Sequence, residues 1–159
     1  DDLGKRGEIS LVYAGGIRNG ADVAKAIALG ADAIALGHSV MMALNCNKDI
    51  PEANYPEEIG AEPGYCYNCH TGRCPVGVAT QDPELRKRLD PDEAAERVYN
   101  FLHTLTIEAQ LFARACGKTH LHSLEPEDLA ALTMEASAMA AVPLAGTNHT
   151  VGVEDYHHL

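Results

Sequence analysis

Two short runs of strand formers, each stopped by glycine and joined by one helical stretch, predict an α/β chain that is the C-terminal part of a TIM (β/α)8 barrel. Three observations carry that prediction. A β-α-β unit stands near the start, glycines close both of its strands, and 159 residues fall short of the about 250 that a complete barrel needs. On this expectation residues 1–45 are the last strands and helices of a barrel whose earlier strands lie outside the chain. Residues 46–81 form an acidic loop and a cysteine loop, 82–135 a helical extension and 136–159 a tail.

The elements follow in order. Ile9 to Ala14 is short, rich in strand formers and ended by Gly15-Gly16, which predicts a buried parallel strand. Asp22 to Leu29 has helical spacing through Val23, Ala26 and Ile27, and Ala31 to Leu36 gives a second strand stopped by Gly37. Ser39 to Asn45 starts another helix. From Asn47 to Gly64 the chain is acidic and aperiodic, with several prolines and glycines, so an irregular loop is expected. Asp82-Pro83-Glu84 and Asp90-Pro91-Asp92 each set a capping side chain before a proline at the first helical position, and acid in the first turn suits the helix dipole. The second of these helices carries an apolar stripe through Ala94, Val98, Phe101, Leu102, Leu105, Ala109, Phe112 and Cys116 and ends at Gly117. A further helix is expected from Pro126 to about Glu135, and the tail carries no structural signal.

The glycines that end the two strands have a functional reading beside the plain one of turning the chain. The amides of Gly16 and Ile17 precede a helix N-terminus, where the dipole favours an anion, and glycine allows a ligand close to the backbone. Gly37 and His38 end the next strand, and two successive strand ends of this kind are what a barrel's shared phosphate site uses. Arg18 either adds a charge-assisted bond to a phosphate or faces a neighbouring loop. For His38 only the backbone amide is assigned.

Cys66, Cys69 and Cys74 fall within nine residues, with Gly72 inside the loop and Pro75 directly after the last cysteine. Closely set thiols suit soft metals. Structural zinc needs a fourth ligand, from His70 or Cys46, and there is no second paired-cysteine knuckle. The short loop and the trailing proline favour an iron–sulfur cluster. Three thiolates fit a three-iron cluster, and Cys46 is a further candidate ligand. Cys116, on its apolar stripe, reads as a buried, unligated thiol.

A formal charge of −11, from 23 acidic against 12 basic residues, disfavours nucleic acid and anionic membrane surfaces. No apolar run approaches the roughly 20 residues that span a bilayer, and the first residues are not those of a signal peptide. An odd, clustered cysteine count points to metal or redox chemistry rather than disulfides. A cytoplasmic protein is expected.

The run from Ser10 through Gly37, together with Cys69 to Leu85, resembles the FMN-binding synthase domain of the glutamate synthase family. The similarity covers roughly Ile9 to Leu132 without the acidic loop, and the cysteine block separates it from other phosphate-binding barrels. The resemblance implies a TIM barrel in which FMN and a 3Fe-4S cluster lie close together, making glutamate from 2-oxoglutarate and channelled ammonia. It places Gly15, Gly16, Arg18 and Gly37 on the flavin phosphate segments and Cys69 and Cys74 on the last two cluster ligands. The first ligand is either Cys46, which follows an apolar helix as in the family, or Cys66; four thiols together fit a 4Fe-4S cluster instead. The acidic loop and the tail point to a divergent branch such as N-methylglutamate synthase. Implied partners are the remainder of the FMN barrel, a glutamine amidotransferase-type subunit and an electron-donor flavoprotein or ferredoxin, in a hetero-oligomer. The rival readings are a non-catalytic iron–sulfur electron-transfer or metal-binding module, and another phosphate-binding barrel oxidoreductase.

Overall fold

The computed structural model describes residues 4–46, 48–50, 57, 59–62 and 65–152. Most of the predicted acidic loop, and the last seven residues of the tail, lie outside the described residues. The chain forms two compact units, residues 1–36 with 104–159, and residues 37–103. Each has its own small core.

In the first unit, strand β1 (Val12–Ala14) pairs in parallel with strand β2 (Ala33–Ala35), in the register Val12 to Ala33 and Ala14 to Ala35. Helix α1 (Gly20–Ala28) makes the crossover. The expected β-α-β unit is therefore present. Asn19 caps α1 by accepting from the Asp22 amide, and Val23, Ala24, Ala26, Ile27 and Ala28 are buried along it. Asp32 ties the strand entry down: one carboxylate oxygen accepts the Leu11 amide at 2.7 Å and the other meets the Arg6 guanidinium at 3.0 Å. These two bonds, with Arg6 first and the Leu11 amide second, hold the Asp32 carboxyl below the usual carboxylate range. Against expectation β1 is not buried, and Val12 is 63% exposed. Parallel strands become buried when other elements cover both faces, and two strands with one crossover helix leave a face open.

The second unit opens with helix α2 (His38–Ala43). It continues through the cysteine loop to helix α3 (Pro83–Arg86) and the first half of helix α4 (Pro91–Ala115). The two predicted helix starts are both found. Asp82 accepts from the Glu84 and Leu85 amides, and Asp90 from the Asp92 and Glu93 amides.

The second half of α4 returns to the first unit, where Leu105, Ala109 and Ala113 are buried. The predicted stripe is only partly covered, since Leu102 and Phe112 are exposed. Cys116 is exposed as well, correcting the expectation of a buried thiol. It lies in the turn past the helix end, just before the chain reverses at Gly117. The helix expected from Pro126 to Glu135 is instead a 3-10 turn at Pro126–Asp128 and a separate helix α5 (Met134–Ala140). Between them Ala131 bridges to Leu144, with its amide bonded to the Pro143 carbonyl at 2.8 Å. In the tail the wholly buried Ser137 donates to the Val142 carbonyl and accepts the Val151 amide. No helix among the described residues is long and apolar enough to cross a membrane.

Candidate functional site

In the first unit, the loop from β1 into α1 places Gly15 and Gly16 at φ 115° and 68°, left-handed backbone that glycine adopts freely. A side chain built at either position would meet nothing within 4 Å, so the space beside the loop is open. The amides of Gly16 and Ile17 have no hydrogen-bond partner among the described residues. Neighbouring amides are already satisfied: Arg18 donates to Asp22 Oδ2 at 3.1 Å, Asp22 to Asn19, and Gly20 to Glu108 Oε2 at 2.6 Å. The Arg18 guanidinium lies 3.6 Å from the Asp22 carboxylate and is largely in solvent. The hydrogen bond from Lys25, at 2.9 Å, is the main cause that holds the Asp22 carboxyl below the carboxylate range; the Arg18 amide adds to it and burial opposes it. A mostly apolar cavity of about 550 Å³ runs beside this loop, walled by Leu11, Tyr13, Ile17 and Leu29. The amides of Gly16 and Ile17 are therefore free to face an anion at this loop.

In the second unit, Gly37 and His38 are exposed at the start of α2, where the Gly37 carbonyl accepts the Val40 and Met41 amides. Ser39 Oγ is buried without a hydrogen-bond partner among the described residues. After α2 the chain turns at Asn45, at φ 67°, and the Cys46 amide closes back on the Met41 carbonyl at 3.1 Å. This turn delivers Cys46 to a small apolar core of Ile50, Cys74 and Val76, against which Val78 and Ala79 also pack.

Cys69 sits in a 3-10 turn, Asn68–Thr71, closed by Gly72. Thr80 Oγ1 donates to the Gly72 carbonyl and Arg88 Nη1 to the Pro75 carbonyl, at 2.9 Å in the second case, clamping both ends of the loop. All five cysteines are free thiols. Burial pushes the Cys46 thiol up, and Cys66, Cys69 and Cys74 add to the rise by charge, so all three lie within electrostatic reach of it. No three His, Cys, Asp or Glu side chains among the described residues are gathered as they would be around a single metal ion. His70 is exposed.

Of the residues read from sequence, Cys46, Cys66, Cys69 and Cys74 share one unit with Gly37 and His38, while Gly15, Gly16, Ile17 and Arg18 belong to the other. Sequence reasoning missed Glu108, whose bond to Gly20 spans 88 residues and leaves no local signal. It also missed Asp22 as the partner of Arg18, although an acid four residues on at a helix start is a readable pattern.

A β-α-β unit with an open glycine loop, followed by a loop of free thiols, defines an α/β chain. The model of the conserved region in glutamate synthase matches residues 1–51 and 59–119. The chain belongs to the glutamate synthase family. It is 56% identical over 147 residues to a glutamate synthase large subunit-like protein of Rhizobium meliloti, covering 92% of this chain and 33% of that protein. It is 44% identical over 121 residues to the archaeal glutamate synthase (NADPH) of Methanocaldococcus jannaschii, covering 76% of this chain and 20% of that protein. A third relative, the archaeal-type glutamate synthase (NADPH) of Thermotoga neapolitana, is 40% identical over 121 residues, with the same coverage of 76% and 20%. The chain therefore spans a third or less of the length of these relatives. The family match omits residues 52–58, inside the acidic loop.

Proposed function

We propose that this chain is the C-terminal part of the FMN-binding TIM barrel of a glutamate synthase-type iron–sulfur flavoprotein, with the segment boundaries given under Sequence analysis. Its reaction is the reductive amination of 2-oxoglutarate, to glutamate with ammonia or to N-methylglutamate with a methylamine-derived nitrogen. Bound FMN supplies hydride chemistry, and a bound cluster supplies one-electron transfer. The chain's own residues hold these groups. Gly15, Gly16 and Ile17 offer the flavin phosphate an open loop with unpaired amides, Arg18 adds positive charge nearby, and Gly37 and His38 are assigned a phosphate role on the amides at their strand end. Cys69 and Cys74, with Cys46 or Cys66, hold a 3Fe-4S cluster; all four together would hold a 4Fe-4S cluster.

The observation that carries this reading is the packing of Cys46, distant in sequence, against Cys74 of the cysteine loop in a chain of this family. The Cys46 packing against Cys74 favours Cys46 as the third ligand. The partners proposed are the rest of the barrel, a glutamine amidotransferase-type subunit and an electron-donor flavoprotein or ferredoxin, in a cytoplasmic hetero-oligomer. The NADPH in the names of the archaeal and Thermotoga relatives supports a reductive direction.

The test is a metal and flavin analysis of the intact protein beside its Cys69→Ser variant. The variant should lose its iron–sulfur absorption and keep most of its FMN. Unchanged iron in the variant overturns the ligand assignment, and intact protein without flavin overturns the enzyme reading. Comparing ammonia with methylamine as nitrogen source then separates the two products.

A further inference from the structure

We infer that Glu108 is a positioning residue for the glycine loop, acting through the first amide of α1 so that a flavin phosphate binds at Gly16 and Ile17. The inference rests on the phosphate reading of that loop. The contact is close and specific. Gly20 N donates to Glu108 Oε2 at 2.6 Å in a partly buried setting, across 88 residues of chain. A Cβ at Gly20 would lie 2.4 Å from Ala109 N, 2.6 Å from Glu108 Cβ and 2.7 Å from Leu105 O, so the start of α1 is pressed against one turn of α4. Leu105 and Ala109 are buried on either side of Glu108 along that helix.

Packing alone accounts for the small residues, Gly20 and Ala109. It does not call for a carboxylate, which is costly to desolvate unless its oxygens are bonded. What the carboxylate does is occupy the first donor of α1. With Gly20 taken by Glu108, Asp22 by Asn19 and Arg18 by Asp22, the Gly16 and Ile17 amides of the glycine loop remain without a partner among the described residues. Without Glu108 the Gly20 amide is free to compete for the phosphate, and the Asn19-Gly20 junction loses its anchor. The loop then no longer holds one shape around the ligand.

FMN and riboflavin differ only by the phosphate monoester, so their affinity ratio isolates this contact from general folding. In the intact protein, stripped of flavin, wild type should bind FMN more tightly than riboflavin. E108A should lose about tenfold of that preference, the size of one charge-assisted hydrogen bond, with riboflavin affinity unchanged. E108Q keeps an acceptor for Gly20 and removes the nearby negative charge, so its ratio should equal or exceed that of wild type. If E108A does not fold, E108D, which keeps the charge but shortens the reach, should show the same loss. An unchanged ratio in E108A or E108D overturns the inference, as does an equal weakening of both ligands, which marks a packing role only. A wild type that does not distinguish FMN from riboflavin removes the phosphate reading itself, and the inference with it.

Discussion

Replacing Gly77 by alanine should open the cysteine loop, and the structure sets the size of the effect. Gly77 is buried three residues after Cys74, at φ 83°. A Cβ there would lie 2.5 Å from the Leu85 carbonyl oxygen, 3.1 Å from Leu89 N and 3.4 Å from Arg86 Cα, all backbone of α3 and the turn that follows it. Left-handed backbone costs a non-glycine residue about 1–2 kcal/mol. Forcing a methyl against fixed backbone adds about 1–3 kcal/mol. The sum is about 2–5 kcal/mol, and Gly72→Ala separates its parts. Gly72 has the same hand, at φ 73°, but its Cβ would meet nothing within 4 Å, so only the first cost applies. Hydrogen exchange of peptides spanning Cys74 to Leu89 in the intact protein reads the local opening free energy. Gly77→Ala should lower protection well beyond Gly72→Ala, and its iron content should fall with it. Equal protection in the two variants, within about 0.5 kcal/mol, would refute the steric argument.

Two other perturbations test the clamps around each loop. Arg88→Met keeps the aliphatic stem but removes the donor to the buried Pro75 carbonyl; a stranded acceptor costs about 1–3 kcal/mol, read as lost protection in the same peptides. For Asp22 the sign follows from its depressed pKa: the carboxylate stabilises the fold fully above the ordinary carboxylate value and loses that contribution as pH falls through its lower folded value. Asp22→Asn should therefore destabilise the protein by less than about 1 kcal/mol at neutral pH, because Lys25 is mostly exposed. The difference from wild type should close below about pH 4 in denaturation curves taken across the acid range. A gap that persists there would assign the effect to the Arg18 amide bond rather than to charge.

What the sequence disclosed, and what it withheld, divides by the range of the interactions. The starts of α3 and α4 were legible because the cap, the proline and the first-turn acids lie within four residues of each other. The parallel pairing of β1 and β2 was legible for a similar reason: a short crossover helix between two strand-forming runs leaves few alternatives. The exposure of β1 was not, since a strand's pattern records the faces it is suited to cover and not whether this stretch of chain supplies the cover. The interrupted helix after Pro126 was not legible either. Ala131 takes its partner from Pro143 and Ala145, and hydrogen bonds across twelve and fourteen residues override a local helical preference.

The cysteine loop shows both regimes at once. Cys66, Cys69 and Cys74 announce themselves by spacing, because side chains on a short loop that are close in sequence are also close in space. Cys46 has no such spacing to read. It packs against Cys74 because an apolar turn after α2 seeks the same core as Cys74, Ile50 and Val76. That difference has a consequence for metal binding. On the proposed iron–sulfur reading, thiols set by a short loop can gather a metal before the core forms, whereas Cys46, delivered by packing, arrives only when the core does, so its ligation would be coupled to the folding of the whole unit.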